Sequence, residues 1–205
     1  MNKDEIQLCG YHGTLSNSAE KIIKDGFKIK EYTPNDGKYC HNHWLGHGIY
    51  FYEDYDLAKQ WADSKSIAFA KKHNLKSEST VIFASYKSNE KNICNLDNSN
   101  QLRKFNNYAK DVEKLIANER YYCLDFTKNI KPELSAEEKE QEIIKRIRCF
   151  AFDCFKSEKN IQIIMYTFSM RNHVKYTDIA LGVNQKQICV SSPNCITELR
   201  LEEGG

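Results

Sequence analysis

The sequence predicts a single α+β domain, on three observations. Helix-like stretches are grouped between strand-like ones instead of alternating with them, which is the order of segregated helices and sheet and not of repeated βαβ units. A chain of 205 residues suits one domain and can bury a real core. No repeat, low-complexity segment or linker divides it.

In order, Ile6 to Tyr11 reads as a short strand running into His12-Gly13-Thr14, where Gly13 allows the backbone to approach a ligand closely. A helix follows, with Ser16-Asn17-Ser18 as caps, Glu20 three residues after Asn17, an apolar face of Ala19, Ile22 and Ile23, and Gly26 as its stop. Pro34, Asn35, Asp36 and Gly37 make residues 32–47 a loop. Gly48-Ile49-Tyr50-Phe51-Tyr52 is rich in aromatic and β-branched residues and predicts a strand closed by Glu53-Asp54. From Asp56 to about Lys72, Leu57, Ala58, Trp61, Ala62, Ile67, Ala68 and Ala70 recur at near-helical spacing.

Thr80 to Tyr86 and Asn92 to Leu96 read as strands, and 101–118 as an amphipathic helix with Leu102, Phe105, Ala109, Val112 and Ile116 on one face. Ser135-Ala136-Glu137-Glu138 is a capping box for a long helix reaching Phe155, whose other face, with Lys139, Lys145, Arg146 and Arg148, reads as solvated. These two helices form a helical insertion at about 101–157. Ile161 to Phe168 reads as a strand, Asp178 to Gly182 as a turn or helix remnant, Lys186 to Val190 as a strand and Cys195 to Leu201 as the last strand.

Thirty basic and twenty-eight acidic residues leave a net charge of +2, too small to draw the chain to nucleic acid or membrane in general. The charged first residues, followed by no long apolar run, predict neither signal peptide nor membrane helix, so no membrane partner and a cytoplasmic protein are expected. The eight cysteines contain no C-x-x-C pair and read as mostly buried, reduced thiols. Cys40-His41-x-His43-x-x-x-His47 holds four soft donors within eight residues, but structural zinc sites draw on two separated pairs, so no metal is expected here. A loop-zinc interaction protein is the alternative this run leaves open.

The polar groups left for chemistry are His12, Tyr50, Trp61 and Gln187. There is no G-x-S-x-G, P-loop or G-x-G-x-x-G, which removes the usual support for acyl transfer, Walker-type hydrolysis and Rossmann hydride transfer. Aromatic rings, glycine-lined backbone and neutral hydrogen-bonding groups suit a flat ring and a ribose.

Tyr11-His12-Gly13-Thr14, then Gly46-His47-Gly48-Ile49-Tyr50-Phe51, then an aromatic ten residues after that Phe, resemble the ADP-ribosyltransferase superfamily in its poly(ADP-ribose) polymerase and diphtheria-toxin-like branch, and its small bacterial single-domain members. The likeness is concentrated in residues 6–62, with an echo at 185–190. It implies an ADP-ribosyltransferase-like fold of split antiparallel and mixed sheets flanked by helices, with NAD as co-substrate. His12 then hydrogen-bonds ribose hydroxyls, with Thr14 beside it, the Gly13 backbone holds the carboxamide, Tyr50, flanked by Gly48, stacks on nicotinamide, and Trp61 takes the place of a second ring-sandwiching tyrosine. His43, Trp44 and His47 could line the adenosine end.

The resemblance implies a third catalytic residue, normally glutamate, where this sequence has Gln187, with Gln185 and Glu198 as alternatives for the position. A glutamine can hydrogen-bond a 2′-hydroxyl but cannot act as a base. A serine that binds the carboxamide in the polymerases aligns with Ala58. The expected activity is therefore mono-ADP-ribosylation of a macromolecular acceptor, protein or nucleic acid, in a toxin or defence setting, with a catalytically inert NAD- or ADP-ribose-binding module as the alternative.

Overall fold

A computed structural model describes residues 4–30, 32, 33, 35, 43–117, 124–170 and 183–202. The α+β class is observed: seven strands form one sheet, with four helices among the described residues. The chain runs β1 (Glu5–Leu15), α1 (Ser16–Asp25), β2 (Ile49–Tyr52), α2 (Tyr55–His73), β3 (Ser79–Asn89), β4 (Ile93–Asn95), α3 (Ser99–Ala117), α4 (Ala136–Lys159), β5 (Ile163–Met170), β6 (Val183–Val190) and β7 (Ile196–Glu202). The turn expected at Asp178–Gly182 lies outside the described residues.

The strand order is β4-β5-β6-β2-β1-β3-β7, antiparallel at every junction except the parallel pair β4–β5. Parallel neighbours need a long crossover, and α3 with α4 supplies it. The predicted helical insertion is thus the connection that lets β5 lie beside β4. The two helices are joined by Phe105 stacked on Phe152, ring centroids 3.9 Å apart.

Strand alternation sorts the site residues by face. Gly10, His12 and Thr14 share the face that carries Ile49, Phe51, Ile188 and Val190, whose core is closed by Phe27 and Ile29. Tyr11, Gly13, Tyr50, Tyr52, Gln187 and Cys189 lie on the other face. There α2 packs on Tyr52 and Val81, while α3 and α4 cover Cys94, Ile164 and Cys189.

The junction between β1 and β2 is the weak line of this sheet. Its ladder consists of the single pair Tyr11↔Tyr52, whereas β1 pairs β3 from Glu5 to Leu15 and β2 pairs β6 over its whole length. Beyond Tyr11 and Tyr52 the facing edges of the two strands have no ladder partner, so a seam opens between the β4-β5-β6-β2 and β1-β3-β7 halves.

Several expectations are corrected. β1 continues through His12-Gly13-Thr14 instead of ending before them, because Thr14 and Leu15 still pair with Thr80 and Ser79. Ser16, Asn17 and Ser18 do not cap α1: the cap position is Leu15, without a side-chain bond, and Ser16 N–H is taken by Glu78 O at 2.9 Å. α2 starts from Asp54, whose carboxylate accepts from Leu57 N at 3.0 Å. The Ser135–Glu138 capping box is present. Arg146 is not on a solvated face: it is 4% exposed and donates to the carbonyls of Phe126 and Lys128 at 3.1 and 2.6 Å.

Candidate functional site: a seam between half-sheets

His12 sits where the seam opens. Its Nδ1 lies 2.8 Å from Tyr50 O, so the side chain makes the link across the seam that the backbone does not. A carbonyl only accepts, so Nδ1 carries the proton and Nε2 is left with a lone pair. Phe27 and Phe51 present their rings edge-on to the imidazole at 5.0 and 6.0 Å. Burial among them pushes the His12 pKa down to about 4, against the raising effect of the Tyr50 carbonyl and helped by Lys65. The group is therefore neutral near physiological pH, with one free acceptor nitrogen.

Gly13 lies on the α2 side. A Cβ there would stand 1.9 Å from Ala58 O, so the absence of a side chain is what allows α2 to rest on β1. Thr14 is 1% exposed, paired with Thr80. On α2, Ala58 and Ala62 face the sheet, and Trp61 is 43% exposed.

Tyr50 is anchored at its hydroxyl, which donates to Gly46 O at 2.6 Å and accepts from Leu45 N at 2.8 Å. Burial raises its pKa, so it remains a neutral donor and acceptor. Its ring neighbours that of His43, centroids 5.8 Å apart. Gln187 pairs with Tyr52 on one side and Tyr166 on the other, placing it on the Tyr50 face one strand away, and its carboxamide makes no hydrogen bond among the described residues. Gln185 is on the same face, opposite Phe168. Glu198 stands on edge strand β7, with β2, β1 and β3 between it and β6, and is tied to Arg200 at 2.8 Å.

The structure thus brings His12, Gly13, Tyr50 and Gln187 onto three adjacent strands at the seam, with His12 on the opposite face from the other three. A cleft of about 460 Å³ opens near the start of α2, lined by Glu53, Asp54, Leu57, Gln60, Asn184 and Lys186 among others. A smaller apolar cavity of about 180 Å³ lies between Trp44, Phe105, Phe152 and Phe168. Neither is lined by His12, Tyr50, Trp61 or Gln187.

His47 has partners that the sequence did not suggest. It is 8% exposed, its N–H donates to Asp153 Oδ1 at 2.7 Å, and its Nδ1 lies 2.5 Å from Asp153 Oδ2. Lys156 donates to His47 O at 2.5 Å and pairs with Asp153 at 3.0 Å. Burial pushes the Asp153 carboxyl up, but His47 and Lys156 outweigh it and hold the group below its usual value. Gly46, at φ +79°, passes so close to Asp153, Lys156 and Phe152 that a Cβ would lie 2.5, 2.7 and 2.9 Å from them. Gly48 similarly abuts Cys189 and Val190. So α4 fixes the segment that in turn holds Tyr50. The sequence carried one signal of this, charged residues at 153 and 156 within the helix's apolar stretch, but their partner lies 106 residues away.

Among the described cysteines, Cys94, Cys149, Cys189 and Cys195 are buried as expected, Cys154 is half-buried and Cys9 is exposed. Cys40 and His41 lie outside the described residues. No described helix is long and apolar enough to cross a membrane.

No protein-family model matches the chain, and no solved structure matches it. A stretch of 56 residues is 46% identical to an uncharacterized protein of Methanocaldococcus jannaschii, covering 27% of this chain and 23% of that protein. The match therefore spans about a quarter of the length of either chain.

Proposed function

We propose that this chain is an NAD-dependent mono-ADP-ribosyltransferase, built on an ADP-ribosyltransferase-like fold, that transfers ADP-ribose to a macromolecular acceptor with loss of nicotinamide. The observation that carries the reading is the seam: the three strands bearing His12, Tyr50 and Gln187 are neighbours, in the order β1, β2, β6, and the sheet comes apart where the first two meet. Unpaired backbone edges beside Gly13 suit a carboxamide, which needs one donor and one acceptor. The free Nε2 of neutral His12 suits a ribose hydroxyl, and exposed Trp61 on α2 suits a ring stacked against Tyr50. Catalysis would be positional and electrostatic, holding the glycosidic bond for departure of nicotinamide.

Labelled NAD incubated with the protein and cell lysate should label macromolecules. Labelling should be lost in His12→Ala and Tyr50→Ala and reduced in Trp61→Ala, whose exposed side chain can be removed without touching the core. Equal labelling by the wild type and all three variants, each folded by circular dichroism, would refute the assignment. Gln187, neutral where a base is wanted, favours a second reading, an NAD- or ADP-ribose-binding module without turnover. Calorimetric binding of NAD with no release of nicotinamide over hours would select it.

A further inference from the structure

Zinc sites draw ligands from separated segments, and the fold supplies the second segment that the run ending at His47 lacks. Cys149 and Asp153 are four residues apart on α4, so they project from the same side of the helix. That side meets His47. One donor atom from each of His47, Cys149 and Asp153 lies within 4.8 Å of the other two. Cys149 is fully buried, His47 is 8% exposed, and the Asp153 side chain is 26% exposed.

We propose that His47, Cys149 and Asp153 form a binding site for one zinc ion that pins α4 to the segment ahead of β2. The donors are an imidazole, a thiol and a carboxylate, a set that suits zinc and that oxygen-seeking magnesium or calcium would not select. Asp153 Oδ1 is engaged by Lys156 Nζ and the His47 N–H, which leaves Oδ2 as the ligating oxygen. Oδ2 is 3.9 Å from Cys149 Sγ, close to the spacing of two donors on one tetrahedral ion, roughly 3.5 Å for zinc–sulfur and zinc–oxygen bonds of about 2.3 and 2.0 Å.

The third contact must open. His47 Nδ1 and Asp153 Oδ2 are 2.5 Å apart, and two donors on one zinc stand about 3.3 Å apart. Ion binding therefore replaces that hydrogen bond: the proton of the neutral imidazole passes from Nδ1, where the carboxylate accepts it, to Nε2, and the Nδ1 lone pair goes to the metal. The Cys149 thiol loses its proton to solvent. Lys156 offsets the Asp153 charge, so the new thiolate and the ion's own charge are what change at the site. His43, with its ring centroid 4.8 Å from that of His47, is the nearest described imidazole to the remaining position.

Protein produced in zinc-supplemented medium and dialysed should retain about one zinc per chain by elemental analysis. Substitution with cobalt should produce the near-ultraviolet thiolate-to-cobalt absorption and the strong visible bands of a tetrahedral ion. Cys149→Ser should abolish the first, and Cys9→Ser, on an exposed thiol, should leave it unchanged. A chelator should lower the melting temperature of the wild type. Since Cys149 is in the core and its variant could fail to fold, the wild-type titration stands alone: no stoichiometric metal and no thiolate band in the folded protein overturn the proposal. So does a thiolate band that survives in folded Cys149→Ser.

Discussion

His12 ties the chemistry of the seam to the pH dependence of the fold. Its pKa is about 4 in the folded chain against an ordinary 6.5, so between those values the unfolded chain binds a proton that the folded one refuses. The contribution is complete above pH 6.5 and is lost as the pH falls toward 4, an effect of about 3 kcal/mol. Denaturant midpoints measured across that window should fall with acidification in the wild type. In His12→Gln, which keeps a hydrogen-bonding side chain but does not titrate, the fall should be smaller by that amount. Single residues were legible in the sequence only where a local motif carried them. His12 and Tyr50 stood out by the glycines around them, whereas Asp153 and Lys156, which hold the segment carrying Tyr50, belong to no local motif. Arg146 read as solvated for the same reason: the carbonyls that bury it belong to residues 126 and 128.

Among the elements, α2 depends most on one position. Gly13 lets the helix backbone sit against β1, and a methyl group would have to occupy the place of Ala58 O. Gly13→Ala should therefore destabilise the protein by about 3 kcal/mol or more in chemical denaturation, because a main-chain carbonyl cannot rotate away as a side chain can. A loss below about 1 kcal/mol would mean that α2 shifts freely. The elements themselves were largely readable. β2 follows from aromatic and β-branched content, and α4 from its capping box. Starts and stops were less so: the three polar residues after Leu15 suggested a cap, yet Glu78, just ahead of β3, already supplies its carbonyl to the first helical N–H. The crossover role of α3 and α4 was not legible either, since it follows from which strand β5 joins.

At the level of the whole molecule, β1 and β2 are tied across the seam, among the described residues, by one ladder pair and one histidine side-chain hydrogen bond. Backbone amides facing such a gap lack the protection of paired strands. Hydrogen exchange should be faster at the seam-facing amides of residues 12–15 and 49–51 than along the β1–β3 ladder. If NAD fills the gap, saturation with NAD should slow exchange there and leave β7 unchanged. Uniform protection with and without NAD would contradict a ligand site at the seam.

The route of the chain across that seam has a consequence for how the protein can be divided. It passes from one half-sheet to the other between β1 and β2, between β2 and β3, between β3 and β4, and again between β6 and β7. Each half is thus stitched from non-contiguous segments, with β7 completing a ladder that begins at β1. No single cut of the polypeptide separates the two halves into independently encoded pieces. A junction that is thin in backbone hydrogen bonds is thereby held by connectivity as well as by the core that Phe51 and Tyr86 share across it, ring centroids 5.2 Å apart.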